Sequence, residues 1–298
     1  MGPNETLLNK FKRQDIMTKI IVLNGLMFLL TSISAALMGW SRSGLYSWLA
    51  LPDDLIRLMG QPWSLVTYSF LHSGLFHLIF NMLWLSFFGR FVLNLFPPRR
   101  FLTVYLLGGI VAGLFYLISY NVFPAFLAGP SGQLVGASGA VMAIMAFAAL
   151  YSPNAVVRIF FFSLKLWQLA AIMVLWDLIR LPEMNNAGGL IAHLGGAAFG
   201  FYYGRNLQAG RDIGLWFERL VDRIVGLFNG VTSKRRTGNS RRSTSNKRSS
   251  SSRKNQSRNT TPNTQQQKID AILDKIGQSG YESLTKEEKD FLFKSGRN

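Results

Sequence analysis

Ser138 sits between Gly136 and Gly139 in the stretch GASG, where a hydrophobic run begins. A serine hydroxyl attacks a carbonyl only once a base takes its proton, and near neutral pH a neutral imidazole has the right basicity. The chain has three histidines, His72, His77 and His193, and no cysteine, which excludes thiol catalysis, disulfides and cysteine metal sites. Attack on a peptide carbonyl also creates an oxyanion, which needs fixed donors in a water-poor cavity. Asn81 follows His77 by four residues in HLIFN, so both lie on one face of a helix. With the backbone N–H of Ser138 they form a set of oxyanion donors. These residue types can together perform acyl transfer, with Ser138 as nucleophile and His193 as base. A soluble-hydrolase elbow would need GxSxG on a strand-to-helix turn; the sequence reads GASGA, and no strand is expected before it.

The elements that position these groups follow from composition. The chain of 298 residues is 49% hydrophobic and 16% charged, and no acidic residue occurs from Leu78 to Trp176. Apolar runs of about 20 residues match the hydrocarbon thickness of a bilayer. No alternating polar pattern suggests a barrel, so the expected fold is all-α, a polytopic membrane helical bundle. Six transmembrane helices are predicted at 20–40, 65–95, 101–121, 134–151, 160–181 and 188–208. The second run is too long for one crossing, so its N-terminal part is expected to project as loop or interfacial structure. Lys10, Lys12, Arg13 and Lys19 precede the first span, Arg90, Arg99 and Arg100 follow the second, and Arg158 and Lys165 separate the fourth from the fifth. The positive-inside rule then puts both termini in the cytoplasm and the active site toward the outer side.

In this topology Ser138, His193, His77 and Asn81 fall in one outer-leaflet layer, contributed by three helices. Each has a bland reading alone: a small packing serine, a histidine bonded to a neighbouring backbone, an asparagine joining two helices. One catalytic site accounts for all four together. No Asp or Glu is expected in this layer, which predicts a two-member Ser–His site. Gly136 and Gly139 permit a tight turn and close backbone approach. Gly196 and Gly200, four residues apart beside His193, let the sixth helix approach the fourth. A transporter, or a metal or haem protein using the histidines, fits poorly. His72 and His77 are five residues apart, no carboxylate accompanies them, and there is no inverted repeat.

These motifs resemble those of the rhomboid family of intramembrane serine proteases. FLHSGLFHLIFN (70–81) is similar to the family's second-helix pattern, GASG (136–139) to its nucleophile motif and GGLIAHLGGAAFG (188–200) to its sixth-helix signature. The resemblance covers residues 15–208. It implies cleavage of other membrane proteins' helices within or near the bilayer, at small residues with helix breakers nearby, and with no metal or organic cofactor. Carried over by position, Ser138 is the nucleophile, His193 the base, and His77, Asn81 and the Ser138 amide the oxyanion site. His72 takes a structural or hydration role. The loop 41–62 resembles a first loop sunk partly in the outer leaflet, and the fifth span resembles a lateral gate. At two positions this sequence departs from the pattern. Trp63 is followed by Ser64 where the family often has arginine, and Met142 stands where an aromatic often stacks on the catalytic ring. The alternative reading is a catalytically inactive rhomboid-like protein that binds membrane clients. The single six-span core looks bacterial, which implies a bacterial inner membrane.

The remaining segments are mostly charged. Of the net charge of +17, ten basic residues fall in 233–267, a stretch of Ser, Thr, Asn and Gln with no acid. Such a composition builds no core and reads as a disordered basic linker. Beside a membrane its partners are expected to be anionic lipid headgroups rather than nucleic acid, since no aromatic residues interleave the charges. Residues 1–19 form a cytoplasmic N-terminal segment, 20–208 the membrane domain, and no small-residue cleavage site closes the first apolar run. RDIGLWFERLVDRIVGLFNG (211–230) puts Trp216, Leu220 and Ile224 opposite Arg219 and Arg223, the pattern of an amphipathic interfacial helix. Residues 268–298 read as a small helical segment with a capping box at Thr285 and Glu288.

Overall fold

The computed structural model describes residues 7–39, 46–127, 132–159, 161–184 and 186–233, the isolated positions 41 and 44, and parts of 269–295. Apart from Ser233, the expected basic linker lies outside the described residues. The chain divides into two compact units, 1–237 and 238–298. In the second, Lys286–Ser295 is helical. Thr285 N–H donates to Glu288 at 2.8 Å and Glu288 N–H donates to the Thr285 hydroxyl at 3.3 Å, the two bonds of a capping box.

The first unit is mostly helical. Its long helices, among the described residues, are α1 (Ile16–Met38), α2 (Leu75–Leu95), α3 (Pro98–Val122), α4 (Ser138–Tyr151), α5 (Leu166–Arg180), α6 (Ala187–Gln208) and α7 (Leu215–Ser233). Their ends follow local chemistry. Asp15 caps α1 by accepting from Thr18 N–H at 2.7 Å, and Gly39, at φ +64°, closes it in the left-handed conformation. Pro98 starts α3 at the helical position that needs no N–H, and Pro124 follows its end. The long second run is divided as expected. Ser64–Thr67 and Tyr68–Phe70 form short helical turns ahead of α2.

Three helices, α1, α2 and α3, are long and apolar enough to cross a membrane by length and composition. The other spans are shorter or richer in glycine, so the expected count of six does not follow from helix length alone. At about 1.5 Å per residue, fourteen residues of α4 extend only about 21 Å. That helix is the centre of the bundle, with ten of its residues buried and α2, α3 and α6 packed around it. Outward faces carry Leu26, Leu30 and Leu37 on α1, Phe76 and Phe80 on α2 and Leu175 and Ile179 on α5, all exposed. Apolar surface of this extent needs lipid rather than water as its solvent.

Four strands occur where none was expected. Leu51–Pro52 (β1) pairs antiparallel with Gln133–Leu134 (β2), and Val156–Ile159 (β3) forms a hairpin with Phe162–Lys165 (β4). The hairpin takes the first residues of the expected fifth span, so α5 starts only at Leu166.

Candidate active site

Four helices bring their polar residues to the same end of the bundle. Ser138 is the first residue of α4, His77 the third of α2, His193 the seventh of α6, and Asp177 lies three residues before the end of α5. Ser138, His77, Asn81, His193, Met142 and Asp177 all line one cavity of about 700 Å³, together with first-loop, α5 and α6 residues including Tyr46, Trp176 and Asn186.

Glycine makes the close packing possible. A Cβ on Gly196 would lie 2.0 Å from the Gly139 carbonyl oxygen, and one on Gly200 would lie 2.1 Å from that of Ala143. Backbone of α6 therefore rests directly on backbone of α4, which sets Ser138 and His193 on adjoining walls. Gly139 is enclosed in turn, with Ala112 Cβ 2.5 Å from where its own Cβ would be. Gly136 has φ +133°, a conformation that side chains rarely adopt, and its N–H donates to the Tyr68 carbonyl at 3.0 Å. β2, the glycine turn and α4 thus form a very short strand–turn–helix. This corrects the expectation of no strand before the serine: two ladder residues are too few to show an alternating pattern.

A Cβ on Gly136 would lie 3.0 Å from His77 Nε2 and 3.6 Å from Ser138 Oγ, so both side chains converge on that glycine. The other His77 nitrogen, Nδ1, is 3.0 Å from Ser73 Oγ. When Ser73 donates to it, the ring proton sits on Nε2, a nitrogen that faces Gly136. Asn81 donates one amide hydrogen to the His77 carbonyl at 2.8 Å, leaving its second for the cavity. His72 is buried, with its ring edge-on to that of His77 at 5.1 Å. Met142 is buried in the core on the wall shared with His193.

Among the described residues no hydrogen bond joins Ser138 to His193. The His193 ring is instead held from its far side, where Nδ1 donates to Asp177 Oδ2 at 2.9 Å. This corrects the expectation that no acid reaches the layer. Asp177 is 8% exposed, and a buried acid is costly unless it is paired, so its bond to the imidazole offsets part of that cost. The signal was present in the sequence. Asp177 lies four residues before the expected end of the fifth span, and the depth arithmetic applied to the other polar residues places it in the same layer.

The first loop is built onto this site. Gln61 donates to the carbonyls of Ser47 (3.4 Å) and Ala50 (3.2 Å), Trp63 to that of Trp48 (2.8 Å) and Thr67 to that of Leu49 (2.7 Å). Three side chains thus satisfy four consecutive carbonyls, and Trp63 stacks on Trp48. Anchoring of this loop needs no arginine at position 64, where Ser64 is fully buried. Asp53 accepts from Gly132 N–H at 2.5 Å, and Asn121 donates to the Asp53 carbonyl at 2.7 Å, which ties the loop to the segment preceding Gly136.

Comparison with known proteins gives a consistent result. A sequence model of the Rhomboid domain matches residues 59–209, and one for a family of unknown function (DUF6576) matches 255–294. RHOMBOID-like protein 12, mitochondrial, of Arabidopsis thaliana is 32% identical over 162 residues, 51% of this chain and 48% of that protein. Presenilin-associated rhomboid-like protein, mitochondrial, of Mus musculus is 30% identical over 198 residues, 64% of this chain and 48% of the relative. Inactive RHOMBOID-like protein 8 of Arabidopsis thaliana is 33% identical over 102 residues, 34% of this chain and 26% of the relative. The chain spans about half the length of the first two. These relatives are eukaryotic and two are mitochondrial by name, so they lend no support to a bacterial inner membrane.

Proposed function

The chain belongs to the rhomboid family and is an integral membrane protein; from that premise we propose that it is an intramembrane serine endopeptidase acting on transmembrane segments of other membrane proteins. The observation that carries this reading is one cavity lined by Ser138 and His193, on helices whose backbones touch, with His77 and Asn81 on its wall. Six spans, with both termini cytoplasmic and the cavity toward the outer side, fit the basic residues of alternate loops.

In the proposed reaction Ser138 Oγ attacks the scissile carbonyl while His193 Nε2 takes its proton. The tetrahedral intermediate places its oxyanion among the Ser138 N–H, the Asn81 amide and His77 Nε2. Ser138 begins α4, so the positive end of that helix's dipole faces the developing charge. His193 returns the proton to the leaving amine, and water then hydrolyses the acyl-enzyme by the same route in reverse. No step requires a metal or an organic cofactor. The basic residues of 233–267 are proposed to contact anionic headgroups.

The second reading, a client-binding protein without catalysis, is motivated by the inactive relative. The two readings separate on a fluorophosphonate probe and a transmembrane model substrate. The protease reading expects the wild-type chain to be labelled and to cleave, and expects Ser138→Ala and His193→Ala to lose cleavage while remaining folded. Asn81→Ala is expected to lower kcat by about 10²–10³. Full activity in Ser138→Ala, or an unlabelled, inactive wild type, would refute it.

A further inference from the structure

Among the described residues, Asp177 is the one acidic residue on the cavity wall, and the two-member site described above does not use it. It is buried in a helix with few other inward-facing residues: Leu166, Leu169 and Ala170 are the others buried on α5. Among the described residues its carboxylate has one side-chain partner, His193 Nδ1 at 2.9 Å. The His193 ring, conversely, has no other hydrogen bond among the described residues. Its neighbours one turn away along α6 are Gly189, Leu190, Gly196 and Ala197, none of which carries a polar side chain to orient it. Met142 on the opposing helix packs without directional preference.

The geometry points to Asp177 as a positioning residue for the base, an inference that rests on the protease reading. Nδ1–H given to the carboxylate leaves the lone pair on Nε2, the nitrogen that must take the Ser138 proton. The same carboxylate faces the imidazolium formed when that proton arrives, in a setting where water screens little. The carboxylate acts through the base: its side-chain partner is His193 Nδ1. The site is then three-membered, with its third member on a separate and thinly packed helix, so the orientation of the base depends on where α5 sits.

The test is the rate at which a fluorophosphonate labels Ser138 in the full chain, because a small probe reads activation of the serine without engaging a substrate helix. Asp177→Asn keeps the shape of the side chain but removes the charge and the tautomer preference. It is expected to slow labelling and lower kcat on a transmembrane substrate by about 10- to 100-fold, with KM and Tm close to wild type. Asp177→Glu, which restores a carboxylate, is expected to recover a substantial part of that loss. Wild-type labelling by Asp177→Asn would overturn the inference, as would equal losses of labelling and of Tm in both the Asn and Glu variants, which mark a purely structural role. Failure of the protease reading has a different signature: an unlabelled wild-type chain, or labelling that persists in Ser138→Ala.

Discussion

A single atom decides most of the packing around Ser138. Cβ atoms on Gly196 and Gly200 would collide with backbone carbonyls, which cannot swing aside as a flexible side chain can. Gly196→Ala and Gly200→Ala are therefore each expected to cost about 1–3 kcal/mol and to depress cleavage, because α6 must lift off α4 and carry His193 with it. Gly25 on α1 has nothing within 4 Å, so Gly25→Ala is expected to leave activity unchanged and not to lower Tm. Thermal unfolding and cleavage assays on the three variants make the comparison; a tolerated Gly196→Ala would mean that the two backbones are not in contact. Gly136→Ala combines a strained φ with a Cβ only 2.8 Å from His77 Cε1, and its loss should fall on kcat. The serine, the histidines and the asparagine were legible because polar groups inside apolar runs stand out. Asp177 was missed because it lies just beyond the acid-free stretch ending at Trp176, although it is still within the span.

At the scale of elements, the site depends on a loop that hydropathy alone does not place. β1 and β2 share only the pairs Leu51–Leu134 and Pro52–Gln133, and Asp53 extends the join by accepting from Gly132 N–H. Removing that carboxylate leaves a partly buried N–H without its partner, a loss of about 1.5–3 kcal/mol concentrated on the segment leading into Gly136. Asp53→Ala is expected to raise hydrogen exchange at residues 132–136 and to reduce cleavage, with exchange in α2 unchanged. Equal protection of residues 132–136 in the wild type and Asp53→Ala would show that β1 and β2 hold without the carboxylate. The long helices of this unit were legible because long apolar runs are unambiguous, whereas the short ones at Leu55–Gly60 and Pro124–Leu127 were not. The strands were not, since two residues carry no periodicity and β4 lies within an apolar run that reads equally well as the start of a span. Phe161 and Phe162 are exposed, and the β-branched and aromatic content of 156–162 suits an extended ribbon.

Across the whole first unit, the end opposite the cavity is held by a charge network as well as by close packing at Gly204 and Gly214. Arg100, at the start of α3, pairs with Asp212 at 2.6 Å and with Glu218 at 3.3 Å, and donates to the Tyr203 hydroxyl, joining α3, the close of α6 and the first turn of α7. All three charged side chains are largely buried, whereas the neighbouring Arg99–Asp222 pair is 69% and 46% exposed. Breaking a buried pair leaves the surviving charges without compensation, so Arg100→Met is expected to destabilise the unit by about 3–5 kcal/mol. Arg99→Met, in a screened and solvated pair, should cost no more than about 1 kcal/mol. The network also carries a pH dependence. Burial pushes the Asp212 carboxyl up, but hydrogen bonds from Arg100 and from Gly214 N–H more than offset this and hold it below the usual carboxylate range. A carboxyl depressed by folding contributes its stability above its unfolded value, about 3.9 for aspartate, and loses it as pH falls toward the folded value. Tm of the wild-type chain should therefore fall on acidification below about pH 4, and Arg100→Met should flatten that part of the profile. Equal acid sensitivity in the two proteins would place the responsible carboxyl elsewhere than Asp212.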